Sequence, residues 1–386
     1  MLSAIGCRAA APLPVSDDAS AHAATSVPPV RVPEFESRAV DRDAILRRIF
    51  VGSCLDQAKP QPIWKAVFAR QPDLAMLIGD NVYADAASVE RLAAHYRRQL
   101  SHVNVRRFLE NVPLLATWDD HDYGLDDAGA ENPLREAVKE VFLQAFDPHA
   151  SPERRSHEGV YDSVIVGPPE HTVQFILLDT RSFRSPLARN PRWLVPVGGR
   201  GPYVPTKAED ATILGAEQWD WLDEQLEKPA RLRIIASSVQ VTAQHHGWET
   251  WRNFPREYDR LMEKIEDDDD VPTVIVSGDR HLAEISRVRL PDGRPLYELT
   301  ASSMNRALPI NRPADNAHRL GPPIWTTNFG EIEIDWQEER PAVTLRIFDG
   351  AGALKVEERL DFQERDDEDG KRGDSDERGD EERAGQ

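Results

Sequence analysis

A chain of 386 residues, 40 % of them apolar, can bury one large α/β core or two smaller ones. Its formal charge of −20 argues against sequence-independent binding to nucleic acid, so no nucleic-acid partner is expected. Two cysteines, Cys7 and Cys54, give no disulfide framework, and no apolar run reaches the length that crosses a bilayer.

The start, Met1-Leu2-Ser3-Ala4-Ile5-Gly6-Cys7, is similar to the end of a bacterial lipoprotein leader, where a small residue precedes a lipid-bearing cysteine. It lacks a basic n-region and its apolar segment is short for an export signal. The expectation is an exported protein, periplasmic or lipid-anchored through Cys7; the plainer reading is an incidental cysteine on a loose N-terminus, leaving a cytoplasmic site open. Residues 1–39, rich in Ala, Pro, Ser and Val without helical or strand periodicity, read as a disordered tether. Residues 40–362 are expected to fold, and residues 363–386, dominated by Asp, Glu, Arg and Gly, form a disordered acidic tail.

Within the folded part, Ile49 to Ser53 is an apolar run that ends at Cys54, and Pro62 to Phe68 carries helical spacing. Leu74 to Gly79 runs into Asp80-Asn81-Val82-Tyr83, and a helix capped by Ser88 follows to Leu100, then a shorter one from Asn104 to Leu109. Leu114 to Trp118 runs into Asp119-Asp120-His121-Asp122, and Pro133 to Phe146 is a further helix. This alternation predicts a parallel sheet with helices packed on it. Tyr161 to Val166 and Thr172 to Leu178 read as paired strands, the second ending at Asp179-Thr180-Arg181. Residues 186–205 read as an irregular excursion, Gly215 to Leu226 as a helix, and Arg233 to Ser238 as a buried strand aimed toward Gln240, His245 and His246. A helix from Phe254 to Ile265 precedes Ile275-Val276-Ser277-Gly278-Asp279-Arg280-His281. After it, five alternating segments joined by turns predict antiparallel strands that close the second half of a sandwich.

The recurrent shape is a β-branched run that ends in small residues and then presents metal-ligating groups. In α/β sheets the ligand crevice lies outside the carboxyl ends of the strands, so these tips point to a shared site. Asp80 can place its two oxygens on different cations, although an aspartate after glycine is more often a turn residue. Asp120 suits a ligand, and His121, whose ordinary pKa lies near neutrality, suits a general acid. Tyr83 could bind Fe³⁺ as phenolate, and Cys54 as thiolate, though each alone is more often core packing. Arg280 or Arg181 could fork onto a phosphoryl oxygen, while either alone is more often a salt-bridge residue. His245 and His246 could touch metal or substrate, and Gln240 could be a neutral ligand or a core-edge amide.

In order, Gly52-Ser53-Cys54, Gly79-Asp80-Asn81-Val82-Tyr83, Trp118-Asp119-Asp120-His121-Asp122, Asp179-Thr180-Arg181 and Ser277-Gly278-Asp279-Arg280-His281 resemble the motifs of the alkaline phosphatase D (PhoD-like) family of calcineurin-like metallophosphoesterases. The likeness runs from about Ile49 to Asn305. It implies a four-layer αββα sandwich with mixed sheets, acting on small phosphate mono- or diesters. It also implies a binuclear or larger centre of Fe³⁺ with Ca²⁺ or another divalent ion. By position Cys54, Asp80, Tyr83, Asp120, Asp279 and His281 would be its ligands, with Asp80 bridging. Two such ions, roughly 3.5–4 Å apart, would generate a hydroxide that attacks phosphorus directly. Cys54 and Asp279 depart from the wider superfamily, which makes zinc or manganese alone a poorer fit. The remaining readings are an aspartyl-phosphate hydrolase using Asp179 and a non-enzymatic acidic calcium-binding exported protein. The protein is expected to act as a monomer.

Overall fold

The computed structural model describes residues 36–362, apart from Ala87, residues 195–199, His245, Asp269 and residues 309–315 and 337–339. Cys7, most of the expected tether and the acidic tail lie outside the described residues. Three parallel strands open the first sheet: β1 (Arg48–Gly52), β2 (Leu74–Ile78) and β3 (Leu114–Thr117). Helix α1 (Trp64–Arg70) joins the first pair, and α2 (Val89–Ser101) with α3 (Val103–Asn111) joins the second. The hydroxyl of Ser88 accepts the Arg91 N–H and starts α2 where its sequence position predicts. Three helices follow: α4 (Asp120–Tyr123), α5 (Arg135–Phe146) and α6 (Pro152–Ser156). The two single-turn helices escape sequence reading because so few residues carry no 3.6-residue period.

The second sheet is built from the hairpin β4 (Asp162–Val166) and β5 (Val173–Leu177), with β6 (Leu232–Ser237) and β7 (Thr273–Ser277) parallel to β5. Helices α7 (Gly215–Leu226) and α8 (Pro255–Asp267) make the crossovers. Six strands remain: β8 (Ala283–Arg289), β9 (Pro295–Ala301), β10 (Arg319–Ile324), β11 (Asn328–Asp335), β12 (Ala342–Asp349) and β13 (Leu354–Arg359). Here the structure corrects the sequence reading, because they do not close one half of a sandwich. Strands β8, β9 and β10 extend the second sheet, with β9 parallel to β7, whereas β11, β12 and β13 extend the first, antiparallel beside β1. Alternation within a strand names its faces and not its neighbours. Strand β10, Arg-Leu-Gly-Pro-Pro-Ile, reads as loop from its composition and is an edge strand, where proline costs no ladder bond.

The strand order is β13-β12-β11-β1-β2-β3 in one sheet and β10-β8-β9-β7-β6-β5-β4 in the other. Alternate residues settle why the central strands are apolar throughout. Phe175 and Leu177 of β5, Ile234 and Ala236 of β6 and Val274 and Val276 of β7 face Ile49, Val51, Met76 and Ile78 of the other sheet in one core. Their neighbours Ile176, Ile235 and Ile275 turn outward onto Trp219 and Leu222 of α7 and Leu261 and Ile265 of α8. On the far side Phe50 packs on Trp64 of α1 and Phe108 of α3. Helices therefore cover both outer faces of two stacked mixed sheets, the αββα arrangement.

Candidate metal centre

The parallel strands of the two sheets end near one another. Ser53 and Cys54 follow β1, Gly79 and Asp80 follow β2, Asp119 and Asp120 follow β3, and Gly278 to His281 follow β7. A hydrogen bond of 2.8 Å from the Thr117 hydroxyl to the Leu178 carbonyl ties the tips of β3 and β5 across the interface. Another, of 3.0 Å, joins Gly278 N–H to the Ser238 carbonyl. The approach is so close that a Cβ on Gly278 would lie 2.5 Å from the Ile78 carbonyl oxygen. Glycine is obligatory there for space.

At the tips the backbone leaves the ordinary regions. Cys54 (φ 58°), Asp80 (φ 53°), Asp279 (φ 63°) and His281 (φ 55°) all sit in the left-handed region without being glycine. Such conformations cost on the order of 1–3 kcal/mol each and persist where the surroundings over-determine them, typically at functional sites. Here the sharp turn swings each side chain back over its strand end.

Two groups of ligand atoms result, each with all its atoms within 4.8 Å of one another: Cys54, Asp80 and His281, and Asp80, Asp120 and His121. Asp80 belongs to both. Its Oδ2 lies 2.7 Å from the Tyr83 hydroxyl and 3.4 Å from Cys54 Sγ, while its buried Oδ1 has no hydrogen-bond partner. Burial and the Cys54 thiol push the Asp80 carboxyl well above the usual range. Burial lifts the Cys54 thiol to about 11 against its hydrogen bond to Ser302, whose Oγ is 3.0 Å away. Burial and then Asp80 raise the Tyr83 phenol well above its ordinary value.

His281 donates through Nδ1–H to the Arg306 carbonyl, 2.6 Å away, and burial brings its pKa down to about 3. A backbone carbonyl at Nδ1 selects the tautomer with the proton there, which leaves the Nε2 lone pair for a ligand role. His121 behaves oppositely. Burial lowers its pKa, but Asp120, Asp80 and Asp85 outweigh that and lift it to about 11, with Nδ1 2.6 Å from Asp85 Oδ1. For Asp120 burial raises the pKa, and His121, Arg181 and the Asp127 N–H together hold it below the usual carboxylate range. Asp279 is partly buried, carries a carboxyl pushed up by burial and by Asp119, and lies outside both ligand groups.

A thiol, a phenol, carboxylates shared between two clusters and a neutral imidazole form a donor set for hard and borderline cations. The orphaned Oδ1 of Asp80 gives that fit a structural mark, since a buried carboxylate oxygen without a donor is costly.

Other sequence expectations fare differently. The Arg181 guanidinium is buried and engaged: Nε meets Asp119 Oδ1 at 2.6 Å, and its two terminal nitrogens take both oxygens of Glu249 at 2.9 and 2.8 Å. It braces the Asp119–Asp120 turn, and its N–H groups are already engaged by Asp119 and Glu249. Asp179 is likewise a turn cap. Its Oδ1 accepts from Arg181 and Ser182 N–H and its Oδ2 from Val160 N–H and the Ser182 hydroxyl, leaving no oxygen directed at a substrate. Gln240 is the core-edge amide, donating to Glu284 and Thr300. His246 is buried beyond both ligand groups, its Nδ1 accepting the Trp248 N–H, and His245 lies outside the described residues. Arg280 is buried next to Asp279, and its Nε and Nη2 have no hydrogen-bond partner.

Sequence reasoning named Asp122 within its motif without a role, and missed Ser302 and Arg306. Asp122 accepts the N–H groups of Asn81, Val82 and Asp119 and so locks two tips together, at 3.0–3.1 Å. Ser302 touches Cys54 and accepts the His281 N–H at 2.7 Å. Arg306 lies over the Tyr83 ring, 3.9 Å from its centroid, and bonds Asp56. The Ser302-Ser303 pair after β9 repeats the pattern of a strand that ends in small polar residues, and was legible by that rule. A third acidic group, Asp120, Asp127 and Glu249, is already answered by Arg181, Arg184 and the Tyr203 hydroxyl.

Two mixed sheets with ligand-bearing tips between them define a metallophosphoesterase-type fold. The profile of the PhoD-like phosphatase family matches residues 50–345. The chain belongs to that family, and it is accordingly a metal-dependent phosphoesterase whose substrates are small phosphate esters. Among solved structures it is similar to that described as PhoD, with 15 % identity and a TM-score of 0.59 over 86 % of this chain and 74 % of that one. A dimetal phosphatase from Danio rerio is more distant, with 11 % identity and a TM-score of 0.47 over 83 % of this chain and 100 % of that one. A comparison with curated protein sequences gives no match. Among the described residues no helix is long and apolar enough to cross a membrane.

Proposed function

We propose that the protein hydrolyses phosphate mono- or diesters at a binuclear or larger centre held by Cys54, Asp80, Tyr83, Asp120, His281 and Asp279. The observation that carries this reading is the position of Asp80, common to two ligand groups and with one buried oxygen unanswered. Thiolate and phenolate donors on one side of Asp80 suit Fe³⁺, and the carboxylate-rich side suits Ca²⁺ or another divalent ion. When bound, such a cation pair supplies a nucleophile at neutral pH and offsets charge on the phosphoryl oxygens.

The chain's own residues do the rest. Arg280 offers two unanswered N–H groups to a phosphoryl oxygen, and burial strengthens that contact. His121, oriented by Asp85, holds the proton that the departing alkoxide takes up. Asp122 keeps the Asp80 and Asp120 turns in register, and Arg181 fixes the same loop from below.

The test is hydrolysis of p-nitrophenyl phosphate and bis-p-nitrophenyl phosphate before and after exhaustive chelation, with metal analysis of the native protein. Loss of turnover on chelation and recovery with iron and calcium supports the reading. Full turnover by demetallated protein overturns it. A visible charge-transfer band that disappears in Tyr83→Phe or Cys54→Ser would assign iron to that side of Asp80.

A further inference from the structure

Described residues of two segments, Asn190, Trp193 and Tyr203 among the first and Thr250, Arg252 and Asn253 among the second, line a cavity of about 760 Å³. That volume falls within the range of drug-sized organic ligands, roughly 300–1,000 Å³. One wall is linked to the proposed centre through Asp127. Tyr203 lines the cavity and its hydroxyl bonds Asp127, whose own N–H donates to Asp120 Oδ2 at 2.8 Å. The cavity thus begins two hydrogen bonds away from a proposed ligand.

Its lining is unlike the rest of the chain. The protein carries 67 acidic residues against 47 basic ones, yet the lining includes Arg192, Arg200 and Arg252 and, among the described residues, no aspartate or glutamate. Apolar surface comes from Trp193, Leu194, Tyr203 and Val204. Two of these groups are held in place. The Trp193 indole donates to the Arg200 carbonyl at 3.0 Å, and the Arg252 guanidinium lies 3.4 Å from the centroid of the Tyr258 ring while its Nε has no hydrogen-bond partner. Apolar walls with guanidinium groups, one of them fixed, receive planar, negatively charged organic groups, by stacking and by charge-assisted hydrogen bonds.

We propose that this cavity receives the alcohol portion of the ester and selects an aromatic alcohol that bears a negative charge of its own. The inference rests on the phosphoesterase reading and adds the substrate class. The small phosphoryl group sits at the strand tips, and the larger organic portion extends past Tyr203 between Trp193 and Arg252. A cationic alcohol is disfavoured there by the arginines, and a small neutral one leaves the apolar walls uncovered.

The experiment compares kcat/KM for phenyl phosphate, 4-carboxyphenyl phosphate and 4-(aminomethyl)phenyl phosphate in the metal-loaded full chain and in its Arg192→Gln/Arg252→Gln variant. The expected result is a preference of about tenfold or more for the carboxylate over the amine, expressed mainly in KM and reduced to about twofold in the variant. Equal values for the three esters, or a preference the double substitution leaves intact, overturn the proposal and leave the phosphoesterase reading standing. If none of the three is hydrolysed, that reading fails first. The cavity is then judged by quenching of Trp fluorescence with 4-hydroxybenzoate and 4-hydroxybenzylamine, where selective binding of the benzoate, lost in Trp193→Phe, upholds it and indifferent binding overturns it.

Discussion

Asp80 meets two demands at once, which explains why it adopts a left-handed backbone (φ 53°) that only glycine accepts cheaply. One oxygen takes the Tyr83 hydroxyl, and the other stays buried without a donor. Asp80→Asn keeps the shape and removes the charge, so metal content should fall and kcat/KM should drop at least about 100-fold, read by elemental analysis and steady-state kinetics. Retained stoichiometric metal with normal turnover would contradict the bridging role. A second residue predicts a pH effect away from the centre. The ring of His157 stacks on Tyr161 at 3.9 Å, and burial holds its pKa below 6.5, with the Glu158 carbonyl opposing and Lys139 and Arg154 adding to the depression. The unfolded chain takes up a proton near pH 6.5 that the fold resists. This contribution to stability is therefore present above pH 6.5 and is lost as the pH falls below it. His157→Gln should flatten that part of the pH–stability curve measured by urea unfolding between neutral and mildly acid pH.

At the scale of elements, the strand ends are held by contacts that sequence periodicity does not announce. Gly79 (φ 83°) brings β2 so near the next tip that an added Cβ would lie 2.4 Å from Asp119 Cβ. Gly79→Ala combines that clash with an unfavourable φ, and a loss of about 2–4 kcal/mol is expected in chemical denaturation. Arg181 performs the analogous service for the β3 tip. It is buried between Asp119 and Glu249, so Arg181→Gln leaves buried Asp119 without a cation and Glu249 with Arg184 alone, and should cost about 3–5 kcal/mol. Its effect on kcat/KM should follow the loss of folded protein. A folded variant at full stability with abolished turnover would return Arg181 to the substrate. The DDHD motif and the DTR motif were both legible, but only packing shows that Arg181 turns toward the first and away from the centre.

For the whole molecule, the first sheet delivers Cys54, Asp80, Tyr83 and Asp120 and the second Asp279 and His281, so the proposed centre and the sheet–sheet core stabilise one another. A cation that binds the folded state alone adds about 2.7 kcal/mol at a hundredfold excess over its dissociation constant. Chelation should accordingly lower the melting temperature by several degrees and readdition should restore it, as followed by calorimetry. An unchanged transition would mean that the strand tips hold no cation in the folded protein.

The sequence by itself determined the α/β alternation, because central strands packed on both faces must be apolar throughout and end in polar tips. It likewise pointed to Asp80, Asp120 and His281 as candidate ligands, since each stands within a few residues of the end of such a run. It could not assign β8 to β13 to their sheets, because alternation marks faces and not partners. Nor could it separate Arg181 from Arg280. Both follow a strand-end aspartate, and only the tertiary structure surrounds one with Asp119 and Glu249 and leaves the other with unanswered N–H groups. Local chemistry writes a candidate ligand set into the chain; the burial and the neighbours that decide each group's charge and role arise only when the two sheets close on one another.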